Sequence, residues 1–414
     1  MAAAGLLCES PDVFDPDETH VAFESAVRAW CERALAGEVP ALERGEKLPY
    51  PLLRALGREL GLAEVLGATA ERKLAKLRGG AETRSLREGG GDLAGDPLLT
   101  SILFKEIGRV SPGFAMVLMA TLGCGMTILA RGSAELVERF AIPILRFEKI
   151  GAWALTEPEA GSDAFGGMRT TAVREADGWR LRGQKTFISN APYADVIAVF
   201  ARVARESGEP LARPIVVERG TAGLEVGPPL RKMGMHDSPT GDVFLDDCRV
   251  PLGHLVGALE SESRARGAAA LDTLNMERAV MPSICLGILE RCVEESVRHA
   301  RTRRQFGRTI GEFQAVAFTI ARMEVALENA RNLVTKLAHA QKQGRLDARL
   351  ASIAKLYCAE EATRAALAAV QVHGGSGYMA DLPLEKLARD AKMFEIGGGT
   401  NEIQLQTIAR ALLA

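Results

Sequence analysis

The chain lacks a net charge of any size. Its 51 Lys and Arg nearly balance 53 Asp and Glu over 414 residues, so the formal net charge is −2. No global field therefore draws it to nucleic acid or to an acidic membrane. The N-terminus "MAAAGLLCESPDVFDPDE" has no basic region and soon turns acidic. We therefore expect neither a secretory signal nor a transit signal.

Cysteine is scarce and scattered. The seven Cys form no C-x-x-C pair, and none has a Cys/His spacing that suits zinc. Because the number is odd and the chain is long, reduced thiols fit better than a disulfide framework. We therefore predict a cytoplasmic protein without a metal site.

Long apolar runs are also rare, and only residues 110–130, "VSPGFAMVLMATLGCGMTILA", need a membrane test. The length approaches the roughly 20 residues that span a bilayer. However, a Pro, several Gly and a few Ser or Thr interrupt the run, and it stands alone. It predicts a helix buried inside a soluble protein, with no membrane span. Its methionines Met116, Met119 and Met126 fit either core packing or the wall of an acyl pocket.

The composition instead divides the chain into three parts. Apolar residues at helical spacing predict a helical domain over residues 1–150. Short β-branched and aromatic runs, cut by Gly, Asn and Pro, predict a β-barrel or sandwich over residues 151–257. Long amphipathic stretches that end in Gly predict a second helical domain over residues 258–414. The charged, Gly-rich segment 68–97 reads as a surface loop.

Several segments could contact a nucleotide, although each has a simpler interpretation. "LTEPEAGSD" ends in small and hydroxyl residues whose N–H and O–H groups suit a polar ring edge or a phosphate. "RTRRQFGRTIGEFQAV" places forked Arg donors beside Phe306, as a diphosphate and adenine site requires; a solvated helix face is the alternative. "QVHGGSGYM" reads as a helix C-cap, and His373 within it as a structural histidine.

Together with "GQKTFISNA" and "RDAKMFEIGGGTNEIQ", these segments resemble the acyl-CoA dehydrogenase family in both order and spacing. The resemblance covers about residues 20–414 and is weakest over 68–97, where the chain carries an atypical insertion. It implies an α+β multidomain fold: an N-terminal helical domain, a middle β domain and a C-terminal four-helix bundle. It also implies FAD bound between domains and partly by a neighbouring subunit, in a homodimer or homotetramer.

The resemblance implies a role for each residue that matches a motif. Phe187 and Ser189 stand where the family has Trp and Thr beside the flavin ring. The residues implied at the flavin ring and its loop are Leu155, Thr156, Phe187, Ser189, Thr400 and Glu402. Those implied at the diphosphate and adenosine half are Arg303, Gln305, Phe306, Gln314, Gln371, Gly374 and Gly375. Those implied at the substrate are Ser162, Asn275, Arg278, Gly398 and Gly399.

The resemblance also implies a reaction: a carboxylate takes the α-proton of an acyl thioester, and flavin N5 takes the β-hydride. Many members carry the base directly before the "GT" of the last loop, where this chain has Gly398. A subgroup, including isovaleryl- and long-chain-type enzymes, instead carries Glu on a helix as "ER". "LNMERAVMPS" matches that pattern, so Glu277 is the predicted base. The rival is Glu395 within the loop, and a surface carboxylate is the simpler interpretation of Glu277.

The sequence leaves open the thioester carrier, the electron acceptor and two alternative functions. The expected partners are an acyl-CoA or acyl carrier protein thioester and an electron acceptor such as an electron-transfer flavoprotein. The alternatives are a flavin-dependent monooxygenase or oxidase on the same scaffold, and a non-catalytic flavin-binding relative. Glu277 argues against the first alternative, and the complete set of flavin motifs argues against the second.

Overall fold

The computed structural model describes residues 16–79, 95–204, 210–258 and 268–413, with side chains omitted over 268–278. Over these residues the order of elements is helical, then β, then helical. The predicted three-part α+β architecture is confirmed. The predicted segment 68–97 lies partly outside the described residues, which exclude 80–94.

The N-terminal part consists of helices, and some of them begin at a side-chain cap. Asp17 caps the first helix by accepting from the His20 N–H, and Ser111 caps the sixth by accepting from the Phe114 N–H. The helices are α1 (Glu18–Trp30), α2 (Val39–Glu43), α3 (Tyr50–Glu59), α4 (Leu62–Arg78), α5 (Pro97–Gly108), α6 (Pro112–Arg131), α7 (Ala134–Leu136) and α8 (Ile142–Leu145). π-Helical turns follow α1 and α7.

Two predictions about this part have different outcomes. Helix α6 is long and apolar enough to cross a membrane, but most of it is buried, as the interrupted sequence predicts. Its methionines Met116, Met119 and Met126 belong to the main hydrophobic core. The loop prediction is wrong for residues 68–78, because α4 continues to Arg78. A few apolar residues at helical spacing, such as the buried Leu74, suffice to seat this charged helix.

The middle part is a seven-stranded sheet in the order β1-β4-β2-β3-β7-β6, with β5 paired to β4. Its strands are β1 (Gly151–Ala154), β2 (Thr171–Arg174), β3 (Gly178–Ser189), β4 (Val196–Val203), β5 (Leu211–Glu218), β6 (Leu224–Val226) and β7 (Thr240–Pro251). Strand β1 runs parallel to β4, whereas β3 pairs antiparallel with β7. The sheet encloses its own core, which includes Leu181, Val199 and Val243.

The C-terminal part contains three long helices, two shorter ones and a small hairpin. They are α9 (Ala268–Thr302), β8 (Arg304–Gln305), β9 (Arg308–Thr309), α10 (Gln314–Lys342), α11 (Ala348–His373), α12 (Leu384–Phe394) and α13 (Asn401–Leu413). Their apolar faces join those of α5 and α6 in one large core that includes Phe114, Leu289 and Phe394.

A buried ionic cluster links the three parts of the chain. The Lys386 ammonium lies 3.3 Å from carboxylate oxygens of both Glu43 and Asp237, and it also pairs with Asp390. Burial by itself lowers the pKa of Lys386, but these carboxylates raise it above its usual range, so the ammonium persists. Asp390 in turn accepts from the Met235 N–H. Helix α12 is thereby tied to both the N-terminal helices and the sheet.

Candidate active site

A bulge in β3 presents Phe187 at one end of the predicted flavin site. The pairing of β3 with β7 shifts register between Lys185 and Ile188, and Phe187 there has φ +59° and a 68% exposed side chain. A bulge redirects a side chain out of the regular pleat. The Thr186 N–H donates to the Thr156 carbonyl over 2.9 Å. The structure therefore brings the predicted residues of β3 and of the loop after β1 together.

A buried ion pair fixes that loop behind the site. The Lys185 Nζ donates to the Leu155 carbonyl over 3.0 Å and to the Glu157 carboxylate over 2.7 Å. Glu157 also accepts from the backbone N–H groups of Arg169 and Thr170. Burial lowers the pKa of Lys185 to about 8, although Glu157 opposes the shift.

Our sequence interpretation omitted Lys185 and Glu157. The sequence did contain a signal for both residues: each is a charged side chain inside a motif made mainly of apolar or small residues. Ser162, which it did include, lies exposed further along the same loop.

The glycine loop packs against α9. Gly398 and Gly399 have φ +65° and +86°, the left-handed region that favours glycine. A Cβ on Gly398 would lie 2.6 Å from the Met281 Sδ. A side chain at position 398 would strain the left-handed backbone and displace the end of the Met281 side chain, which explains structurally why glycine occupies this position. The loop therefore meets α9 at Met281.

The predicted base lies on α9, one turn before Met281. Residues four apart lie on the same face of a helix, so Glu277 and Met281 share the helix face toward the loop. The side chains of Glu277, Asn275 and Arg278 lie outside the described part of the structure. Their predicted roles remain predictions.

Two buried side chains hold the loop from the other side. Gln404 Nε2 donates to the Gly398 and Gly399 carbonyls over 3.2 and 2.8 Å. Lys355 Nζ donates to the Gly399 carbonyl over 2.8 Å. The sequence interpretation missed both residues, because one lies in the middle of a long helix and the other beyond the glycines.

The carboxylates near the loop have other environments. Glu395 pairs with Lys392 over 2.7 Å. Burial raises the pKa of Glu395, but hydrogen bonds from Lys392 and Thr363 outweigh this and lower it overall. Glu402 is exposed in the first turn of α13, after Thr400.

The second group of predicted cofactor residues surrounds the β8–β9 hairpin. Arg303, Gln305 and Gln314 are exposed there, and Phe306 is 91% exposed with φ +51°. The side chains thus extend toward solvent from the β8–β9 hairpin. They form an exposed surface of Arg, amide and aromatic groups, which suits a diphosphate and an adenine ring.

The end of α11 lies beside this hairpin. The rings of His299 and His373 stack with centroids 4.2 Å apart, which joins the ends of α9 and α11. His373 is buried, as predicted for a structural histidine, and its Nδ1 lies 2.9 Å from the Ala369 carbonyl. Around Gly374 and Gly375 no atom lies within 4 Å of a Cβ position, so a ligand has room to approach the backbone. Gln371 is exposed on the same helix end.

The two groups are separate within one chain. Among the described residues, no hydrogen bond, ion pair or ring contact joins the β3 group, with Phe187 and Leu155, to the hairpin group. No cluster of three or more His, Cys, Asp or Glu that suits a metal ion occurs in the described ranges either. The β3 group, with an aromatic ring beside backbone polar groups, fits one half of a dinucleotide. The hairpin group, with exposed Arg residues beside open glycines, fits the other half.

Gly398→Ala should destabilise the fold. The left-handed backbone costs a non-glycine residue about 1–2 kcal/mol, and the flexible end of the Met281 side chain must shift to admit the methyl group. We expect the free energy of unfolding in urea to fall by about 1–2 kcal/mol. Gly123→Ala is the matched control, because it lies within α6 with no atom within 4 Å of its Cβ position. Equal unfolding curves for the two variants would contradict the described loop geometry.

Comparison with known proteins gives matches over most of the chain. Residues 17–148, 152–248 and 266–413 match the families described as acyl-CoA dehydrogenase, N-terminal domain, middle domain and C-terminal domain, respectively. The L-prolyl-[peptidyl-carrier protein] dehydrogenase of Pseudomonas fluorescens is 37% identical over 331 residues, 79% of this chain and 85% of that protein. The caffeyl-CoA reductase-Etf complex subunit CarC of Acetobacterium woodii is 35% identical over 325 residues, 78% of this chain and 84% of that protein.

The fold has close structural neighbours. The solved structure of butyryl-CoA dehydrogenase from Megasphaera elsdenii superposes with a TM-score of 0.81 at 31% identity. The match covers 97% of this chain and all of that one (100%). The likeness thus includes all three parts of the fold.

Proposed function

The chain belongs to the acyl-CoA dehydrogenase family, and from this premise we propose that Glu277 removes the α-proton of its acyl thioester substrate. The protein is an FAD-dependent oxidoreductase that dehydrogenates acyl thioesters. Bound FAD supplies the acceptor for the β-hydride. The assignment of the base and of the individual binding residues is our proposal.

The observation that carries this proposal is the contact between Gly398 and Met281. A loop without a side chain at 398 meets α9 at Met281, and Glu277 lies one turn away on the same helix face. A general base must come within about 3 Å of the proton it takes, but the backbone element that carries it is free to vary. A helix beside the loop is therefore an adequate place for the base. This arrangement also supports the isovaleryl- and long-chain-like subgroup.

Glu395 is the poorer candidate. Its carboxylate already pairs with Lys392, and its lowered pKa makes it a weaker base. A carboxylate covered by an acyl chain and a flavin would instead lose water, which raises its pKa and its basicity. We assign that environment to Glu277. The backbone N–H groups of the glycine loop, at Gly398 and Gly399, are the donors that we assign to the thioester carbonyl.

We further propose that FAD binds across two subunits of a homodimer or homotetramer. The flavin end lies at Phe187, Ser189, Leu155 and Thr156, and the other end at the hairpin of a second copy. The separation of these two groups within one chain supports this arrangement. Multi-angle light scattering should give at least twice the 44.3 kDa chain mass. A monomer that retains stoichiometric FAD would contradict it.

The acyl carrier is coenzyme A or a carrier protein. The family name supports the former, and the relative from Pseudomonas fluorescens, which is named for a peptidyl-carrier substrate, supports the latter. We propose an electron-transfer flavoprotein as acceptor, since a relative is named as part of a reductase-Etf complex. The described cysteines are free and buried, which fits the reducing cytoplasm that we propose. Cell fractionation tests this location, and recovery from the periplasm would contradict it.

Anaerobic titration tests the proposed function directly. The flavin of the purified protein should bleach when a suitable acyl thioester is added, and the product should be the enoyl thioester. A panel of acyl-CoA and acyl-carrier thioesters, straight and branched, identifies the carrier and the acyl shape. Stoichiometric oxygen consumption with a hydroxylated product would favour a monooxygenase instead. Protein that cannot be reconstituted with FAD would favour a non-catalytic relative.

A further inference from the structure

The carbonyl groups of the glycine loop are held by buried polar side chains. Lys355 on α11 is 1% exposed and Gln404 on α13 is fully buried, yet both end at this loop. Together they make three hydrogen bonds to two carbonyls, at 2.8 to 3.2 Å. Burying an ammonium and an amide is costly unless they are hydrogen-bonded. That two of them meet at one loop indicates that its conformation is closely controlled.

The orientation of these carbonyls fixes the amides on the opposite side. A trans peptide is planar, so its N–H points away from its C=O. The Gly398 carbonyl shares a peptide with the Gly399 N–H, and the Gly399 carbonyl shares one with the Thr400 N–H. Both N–H groups therefore point away from Lys355 and Gln404. Neither donates to an acceptor among the residues that the structure describes.

The neighbouring amides differ from these two. The N–H groups of Glu395, Ile396, Gly397 and Asn401 all donate to backbone carbonyls of residues 392–395. Two adjacent N–H groups therefore remain for a ligand, on the side of the loop away from the core. The charged Lys355 also polarises the peptide that joins the Gly399 carbonyl to the Thr400 N–H. This makes the Thr400 N–H a stronger donor.

We propose that Lys355 and Gln404 are positioning residues that hold the glycine loop so that the Gly399 N–H points toward the thioester carbonyl. The inference rests on the proposed thioester site. Three consecutive glycines are conformationally permissive, and donors to a developing enolate oxygen are effective only when they are preorganised. The two clamps supply that order from behind the loop, without contact with the substrate. They thereby help to stabilise the negative charge that develops on the enolate oxygen when the α-proton leaves.

The test compares Lys355→Met and Gln404→Leu with the wild-type holoenzyme. Loss of one oxyanion donor costs about 10²–10³ in kcat, so we expect each variant to lose about 10²-fold in flavin reduction at saturating substrate. KM should change much less, because the donors matter most once charge develops. Ser352→Ala is the matched control, since Ser352 is buried on the same helix and its hydroxyl has no partner among the described residues.

A second readout separates positioning from general damage. A 3-oxoacyl-CoA with the chain length of the best substrate is acidic at its α-carbon, and its bound enolate gives a long-wavelength charge-transfer band with the flavin. We expect the pKa of this bound ligand to rise by about two units in each variant, the counterpart of a 10²-fold loss. Ser352→Ala should leave it unchanged. Thermal unfolding midpoints verify that each variant is folded.

The outcomes distinguish the two proposals. If the wild type neither binds the 3-oxoacyl enolate nor bleaches with any thioester, the proposed function itself fails. If the wild type does both, and the ligand pKa and kcat of either folded clamp variant equal those of Ser352→Ala, the positioning role is wrong. If one variant does not fold, the other still decides the question.

Discussion

Glu277→Gln should retain FAD and lose most of its reductive activity. The amide is nearly isosteric but cannot accept the α-proton, and positioned acid–base groups contribute about 10²–10⁴ in rate. We therefore expect anaerobic flavin reduction by the best thioester to slow by about this factor. Substrate affinity should change little, because the missing step follows binding. Stopped-flow absorbance of the flavin measures both quantities.

Glu395→Gln is the control for this experiment. It removes the other carboxylate of the loop region, which is paired with Lys392 and has a lowered pKa. We expect its reduction rate to remain within a few-fold of the wild type. The reverse result, with Glu277→Gln unaffected and Glu395→Gln slow, would move the base into the loop.

Lys386→Met should produce the largest loss of stability. The substitution leaves the buried carboxylates of Asp237, Asp390 and Glu43 without their shared cation. Breaking a buried ion pair by removing one partner costs about 3–5 kcal/mol. Because this cluster ties α12 to the sheet and to the N-terminal helices, we also expect the parts to separate more readily. Urea unfolding followed by circular dichroism and by flavin release measures both effects.

Two further variants test whether the loss of stability in Lys386→Met comes from the buried ionic cluster. Lys392→Met breaks the ion pair with Glu395 on the same helix, but Lys392 is exposed, and such pairs contribute about 0–1 kcal/mol. Asp390→Asn, combined with Lys386→Met, removes one uncompensated charge and should recover part of the loss. The account of the cluster is wrong if Lys386→Met shifts the urea midpoint no more than Lys392→Met does.

Much of the fold could be predicted from patterns along the chain. Helical periodicity and β-branched runs indicated the three parts, and the Pro and Gly within residues 112–131 indicated a core helix. The motifs also identified the residues of β3 and of the β8–β9 hairpin that the structure exposes, such as Phe187 and Phe306. These features depend on local sequence, which is why they could be read without a structure.

The remaining features depend on contacts between distant segments. Lys355 and Gln404 meet the glycine loop only after α11 and α13 have packed, so no spacing in the sequence marks them. Lys185 and Glu157 pair for the same reason, across 28 positions. A loop was predicted over residues 68–78, where the structure has a helix, because the charged composition of this segment outweighed its few apolar residues. In each case tertiary packing decides what the local pattern leaves open.

The most direct test of the account is the position of the Glu277 carboxylate in a crystal structure of the holoenzyme. The complex should contain a non-oxidisable thioester in which sulfur replaces the β-carbon. We expect a Glu277 oxygen about 3 Å from the α-carbon, on the side away from the flavin and adjacent to Gly398. A Glu277 carboxylate in bulk solvent, with Glu395 or another carboxylate at the α-carbon, would contradict the account.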